Sequence, residues 1–393
     1  MFPNHSVYLF KFEKFVFSLL VISTVLRFDS IFDGANRFIP YRVTILSIIA
    51  VILFSYIFNN EFKVKLTSLK YCVLLLLVVL VFNFFWVHRH DEFVVFVNGL
   101  LSFLYIIGGA YLIIRLSSYL DSCYLFKFRV IFLSISIIIF SIEAYIRFFH
   151  PDLGLNSNMD VDIIKERMSQ GISNDNFFYF KYGSIMFFDS NYIGLNLLPL
   201  IILTLVHHKY RKIFLFFLCF LVFLSLSRSA ILGMASIFFL WLTYLNRRSL
   251  VFIYFLLCFL APFIFYFVYD FVKDDASFIT KVAIFKSLYV AGDVTFLELL
   301  FGFGLDKGPF IYSPNDDAYA HALVPLLLGQ VGILGCAIYF ITWFCLISRY
   351  GFPMFLTFFV LNLCGLSLAD PWEVTYFYIS IFSSVIFRRK KVY

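Results

Sequence analysis

Apolar runs and short polar breaks alternate along the whole chain. The runs lie near 14–28, 43–58, 71–87, 93–114, 130–149, 185–206, 213–227, 229–246, 250–269, 321–347, 352–369 and 375–387. A bilayer-crossing helix takes about 20 predominantly apolar residues. The pattern therefore predicts an all-α polytopic membrane protein with about twelve transmembrane helices, folded as one integral membrane domain over 1–393. Some runs are short, so one or two are read as re-entrant or merged. The run ending at Arg27 has no small-residue cleavage site and reads as a signal anchor retained as the first span.

The stretch from Ile213 to Leu245 holds a single charged residue, Arg228. As one helix it would be roughly 50 Å long, against a hydrocarbon core of about 30 Å. It must turn back, and Ser225-Leu226-Ser227-Arg228-Ser229 is the polar place to do so. A charge left unpaired at mid-bilayer costs about 2.5–3.5 kcal/mol on insertion scales. Arg228 thus either snorkels to lipid headgroups or grips an anion, which for a phosphate it does bidentately.

Two connections are long, about 151–184 and 271–320, and the rest are short. Neither reads as a flexible linker, and long structured loops tend to carry function. The first has an aromatic stretch, Phe177 to Tyr182, and the second a candidate amphipathic helix over Ser277–Val290 with Lys281 and Lys286 on its polar side. The basic residues orient the chain. With the N-terminus inside, clusters at 11–14, 63–70, 115–129, 209–212, 247–248, 349 and 388–391 fall on the inner side. That side then holds 18 basic and three acidic residues, and the other 13 basic and 21 acidic. The expected topology is N-in and C-in, with both long loops outside.

Composition agrees: 62% of the 393 residues are apolar and 14% charged, whereas soluble domains carry roughly 45–50% and about 25%. That excludes a water-soluble multidomain enzyme and a disordered chain. The net charge of +7 is accounted for by topology, so no nucleic acid is implied. The 57 phenylalanines spread over nearly every run, as coding bias with lipid-facing filler would give. The seven cysteines show neither a disulfide framework nor metal-ligand spacing. No cofactor and no metal is expected.

Asn315-Asp316-Asp317-Ala318-Tyr319-Ala320-His321 leads directly into the run at 321–347. A histidine at a membrane boundary beside two carboxylates is a candidate general base, or only a loop histidine. Beyond it Gly329, Gly332 and Gly335 recur every three residues, a spacing that favours close helix packing. Glu143 and Arg147 stand one turn apart in the run at 130–149 and are expected to pair, although Arg147 at the outer end could also face a phosphate. Asp160-Val161-Asp162 has the spacing of metal-dependent sugar transferases, but it lies outside, away from nucleotide sugars, and reads as a solvated loop. Gly302-Phe303-Gly304 lacks the strand–helix context of a dinucleotide fold.

His321-Ala322, nine residues, then Gly332-Ile333-Leu334-Gly335 resembles the His-x10-Gly pattern of the O-antigen polymerase and O-antigen ligase superfamily. Leu299 to Gly304 resembles that superfamily's Gly-x-Gly turn, here Gly302 and Gly304. Ser227-Arg228-Ser229-Ala230-Ile231-Leu232-Gly233 is similar to its Ser-Arg-(Gly/Ser)-x3-Gly element, and Asp189-Ser190-Asn191 to its Asp-Pro-Asn segment. All four stand in the family's order across about 180–340. The chain departs from the pattern at Ala322, where Asn, Ser or Gln is usual. It also lacks Arg-x10-Gly in the first loop, where Lys181 or Arg167 would take that part.

The resemblance implies a GT-C-like membrane glycosyltransferase of the bacterial inner membrane. It would transfer glycan from an undecaprenyl-pyrophosphate-linked donor to a glycan acceptor on the periplasmic face, with inversion. Arg228, with Arg147, Lys181 or Lys281, would neutralise the leaving pyrophosphate. His321, Asp316 or Asp317 would take the acceptor proton. Asp189, Asn191 and Tyr319 would contact the substrate, and Gly302, Gly304, Gly332 and Gly335 would shape the motif. The implied partners are the lipid-linked donor and acceptor, the bilayer and a chain-length regulator protein. A polymerase joining repeat units is preferred; a ligase moving finished polymer to lipid A-core uses the same chemistry. A flippase, from another class, predicts internal pseudo-symmetry that the sequence does not display.

Overall fold

The computed structural model describes residues 5–26, 39–57, 93–150, 184–187, 190–245, 282–288, 294–304, 308–313, 322–364 and 374–390. The regular structure among them is helical, with no strand. The principal helices are α1 (His5–Ser23), α2 (Ile39–Ile57), α3 (Phe93–Tyr119), α4 (Ser122–Phe149), α5 (Ser190–Leu205), α6 (Arg211–Leu224) and α7 (Arg228–Leu245). There follow the short α8 (Phe296–Phe301) and α9 (Gly308–Ile311), then α10 (Leu323–Tyr350), α11 (Phe352–Cys364) and α12 (Val374–Lys390). Helices α4, α7 and α10, of 28, 18 and 28 residues, are long and apolar enough to cross a membrane.

Ten predicted runs coincide with these helices; those at 71–87 and 250–269 lie outside the described residues. Boundaries shift where hydropathy and backbone hydrogen bonding disagree. Helix α4 starts at Ser122 rather than 130, because the ladder continues through Lys127 and Arg129. Conversely, the run expected from 185 begins with a buried non-helical segment, 184–187, and α5 starts only at Ser190. The amphipathic stretch of the second long loop is helical at 282–288, with Ile284 buried and Lys286 exposed.

The exposed surface is apolar where soluble proteins are polar. On α4, Ile131, Ile138, Ile142, Tyr145 and Phe149 form one outward stripe, and on α6 Ile213, Phe216, Phe220 and Phe223 another. The interior holds hydroxyls and charges, including Arg129, Glu143 and Arg147. That inversion, together with the spanning helices, marks a membrane protein.

Helices α5 and α12 are the innermost. Helix α12 packs on α3, α4, α5, α10 and α11. It is rich in Ser and Tyr, so its partners matter more than its hydropathy. Tyr376 donates to the Leu195 carbonyl (2.7 Å), Tyr378 donates to the Tyr105 carbonyl (3.0 Å), and Ser380 pairs with Thr357 of α11 (2.6 Å). Gly109 of α3 makes room for the Tyr378 hydroxyl. Phenylalanine serves both sides of the bundle, which corrects the expectation of lipid-facing filler. Phe17, Phe132 and Phe382 are fully buried and, with Phe128, join α1, α4 and α12 in edge and tilted ring contacts, while Phe149, Phe216 and Phe344 face outward.

Among the described residues, the basic clusters at 11–14, 115–129, 209–212, 349 and 388–390 gather at one end of the bundle, while those at 63–70 and 247–248 lie outside the described residues. Arg389 donates to the carbonyls of Ser117 and Leu120 at the end of α3. Lys14 lies over the Tyr124 ring, and Arg349 and Arg388 both lie over Tyr350. Arg129 is fully buried; it donates to the Lys209 carbonyl at 2.7 Å and reaches the carbonyls of His207 and Thr204 at 3.4 and 3.5 Å. It thereby covers carbonyls at the C-terminus of α5 and in the connection that follows it. Arg129→Ala is expected to destabilise the detergent-solubilised protein by about 2–3 kcal/mol. Thermal unfolding followed by intrinsic fluorescence checks this, and an unchanged midpoint would show the contacts to be idle.

Candidate functional site

The two halves of the long apolar stretch are separated where the polar residues required it. Helix α6 ends at Leu224 and α7 begins at Arg228. Ser225 bonds back to the Val222 carbonyl (2.7 Å), Leu226 takes a left-handed conformation (φ 53°), and the Ser227 hydroxyl caps α7 by accepting from Ala230 N–H (3.3 Å). A left-handed leucine is strained by roughly 1–2 kcal/mol, so the surroundings must hold the turn. Beneath it lies Gly194 of α5, where a Cβ would meet the Ala230 Cβ at 2.6 Å and the Ser227 Cβ at 3.1 Å. Asn191 stands one turn before Gly194, so Asn191 and the Ser-Arg-Ser turn are neighbours through α5. Arg228, the first residue of α7, is exposed at this end.

Behind the turn is a buried ion pair. Arg147 Nε donates to Glu143 Oε1 at 3.0 Å, with the side chains 1% and 0% exposed. Arg147 Nη1 donates to the Leu224 carbonyl at 3.0 Å, and Ser184 Oγ donates to the same Glu143 oxygen at 2.9 Å. The pairing expected from the one-turn spacing is present. The guanidinium expected at a phosphate is turned into the protein, with Nε on a carboxylate and Nη1 on a helix C-terminus.

The second group is built on glycine backbone. Gly302 and Gly304 have φ of 80° and 99°, and Gly332 inside α10 has φ 65°, ψ −171°, a conformation open essentially only to glycine. The break at Gly332 frees carbonyls that an unbroken helix would engage. Phe303 N–H donates to the Gly329 carbonyl at 2.6 Å, and Gly304 N–H to the Gln330 carbonyl at 3.2 Å. A Cβ on Gly302 would lie 2.6 Å from the Gly332 nitrogen, and Gly308 and Gly329 also meet backbone to backbone. Gly335 has a different contact, the Val331 side chain one turn away in its own helix. Thr295 and Glu298 form a capping box that starts α8. Nearby Tyr312 has its phenol pushed above the usual range, first by burial and second by the Glu298 carboxylate. This frame holds both flanks of the 314–321 segment.

Helix α11 packs on α5, α7 and α10, and so lies between the two groups. His321, Asp316, Asp317, Tyr319, Lys181, Lys281 and Asp189 lie outside the described residues. The positions that sequence reasoning passed over are Ser184, Gly194 and Gly308. Gly194, three residues beyond Asn191 on the same helical face, was the one with a readable signal. No metal-holding cluster of His, Cys, Asp and Glu occurs among the described residues. No family model, curated protein or solved structure matches the chain.

Proposed function

We propose that the chain is an O-antigen polymerase, joining undecaprenyl-pyrophosphate-linked repeat units on the periplasmic face of the inner membrane. The observation that carries the reading is how the described parts of the motif elements, far apart in sequence, meet in space. The Gly302–Gly304 turn is hydrogen-bonded into the broken helix that follows His321. The α5 helix that follows Asp189 carries the glycine on which the Ser227–Arg228 turn rests. In this reading the basic end faces the cytoplasm, so Arg228 opens outward.

The chemistry follows. An acceptor hydroxyl attacks the anomeric carbon of the donor glycan, and a new C–O bond forms as the C–O bond to pyrophosphate breaks. The electron pair leaves with the pyrophosphate, and the hydroxyl proton passes to His321 or to a carboxylate of Asp316 or Asp317. Arg228 meets the departing charge at the N-terminus of an 18-residue helix, where the helix dipole also favours an anion. A 360 Å³ apolar groove lined by Ala235, Phe239 and Phe359 opens between α7 and α11. Ala235 and Phe239 lie seven and eleven residues beyond Arg228, on the same face of α7. A hydrocarbon chain lying there would have its phosphate beside the guanidinium.

Deleting the chain should leave lipid A-core bearing a single repeat unit, read as collapse of the lipopolysaccharide ladder on a gel. Bare core with lipid-linked polymer accumulating would identify a ligase instead, and single units trapped facing the cytoplasm a flippase. His321→Ala should abolish the ladder with the protein still inserted in the membrane; normal chain lengths would remove His321 from the mechanism.

A further inference from the structure

We infer that Glu143 is a positioning residue that joins the end of the first long loop to the turn carrying Arg228, with Arg147 as its arm. Its functional consequence rests on the glycosyl-transfer reading; the coupling itself does not. A single carboxylate oxygen, Oε1, accepts from both Ser184 Oγ and Arg147 Nε. Ser184 Oγ in turn accepts from Met186 N–H at 3.0 Å, which organises the four buried residues 184–187 where the long loop re-enters the bundle. On the other side Arg147 Nη1 holds the Leu224 carbonyl, two residues before the strained Leu226 and four before Arg228. One oxygen therefore links α4, the loop's end and the α6–α7 turn.

The link is stiff for a physical reason. Both charges are buried in a membrane protein, so neither partner can swing away without leaving the other uncompensated in a low dielectric. Glu143 Oε2 has no hydrogen-bond partner among the described residues, so the links described here run through Oε1. A glutamine in place of Glu143 keeps that acceptor and removes only the charge. Arg147 lies in the last turn of α4, 77 residues from Leu224 in sequence, yet it sets where the Arg228 helix begins.

The test uses the full-length protein in lipid nanodiscs, with amide hydrogen exchange as the first readout and polymer formation as the second. The double variant Glu143→Gln/Arg147→Gln removes both charges of this pair and is expected to insert normally. The shorter side chain that replaces Arg147 cannot bridge position 143 and the Leu224 carbonyl, so amides at 225–231 should exchange about tenfold faster or more. Residues 184–187 should keep their protection, because the amide oxygen that replaces the carboxylate still accepts from Ser184. Glu143→Ala should deprotect both segments, with α3 unchanged as the control. If Glu143→Ala fails to insert, the neutral double variant alone decides.

Turnover should fall about tenfold or more in the double variant while the KM for the acceptor glycan is unchanged, a split that general unfolding would not produce. Unaltered exchange at 225–231 in the double variant overturns the inference. If exchange rises as expected but polymer forms normally without Arg228, the positioning stands and the proposed reaction falls.

Discussion

Replacing Arg228 with alanine is expected to abolish long-chain polymer, a loss of about 10²–10³-fold in turnover, the range found on deleting one preorganised donor to a developing anion. The cap of α7 comes from Ser227, and the turn is held by Ser225, Gly194 and Arg147. With the cap and the turn held by these groups, membrane-inserted protein is expected to remain, and its amount is measured alongside activity. Arg228→Lys should recover only part of the activity. An ammonium keeps the charge but cannot grip two phosphate oxygens in one plane. Product ladders from membranes matched for protein content check both variants. Wild-type chain lengths in Arg228→Ala would end the assignment of this residue to the leaving group.

Gly332→Ala is expected to have the largest effect on the structure itself. Two costs add: the backbone there has φ 65°, ψ −171°, which alanine resists, and the new Cβ would run into the Leu300 carbonyl and the Gly302 nitrogen. Neither neighbour is a flexible side-chain end, so the 302–304 turn must lift from α10 and give up its bonds to the Gly329 and Gln330 carbonyls. Strain of about 1–3 kcal/mol with a similar overpacking cost should lower the thermal midpoint by several degrees and silence polymer formation. Gly335→Ala is the comparison, since the nearest atoms its Cβ would meet belong to the Val331 side chain of its own helix. It should retain the docked turn. Equal behaviour of the two variants would show that the kink has no part in holding the 302–304 turn.

What was legible from the chain alone was local. Apolar runs mark helices wherever lipid is the solvent, because backbone groups must then pair within the segment. Ten runs duly appear as helices. The 33-residue apolar stretch was too long for one crossing, and its polar centre turned. One-turn spacing alone was enough to pair Glu143 with Arg147.

The tertiary structure decided what depends on distant partners. Helix α12 is central although its serines and tyrosines make it a modest span by hydropathy, because Leu195, Thr357 and Tyr105 offer partners to its hydroxyls. Arg147 belongs to a helix terminus 77 residues away, and Glu143 to Ser184, 41 residues on. The kink at Gly332 exists because a turn 30 residues earlier supplies N–H donors to the carbonyls it frees. Hydropathy and spacing are properties of one segment and can be read along it. Which carbonyl a buried arginine satisfies is a property of two segments, and only their packing in space chooses it.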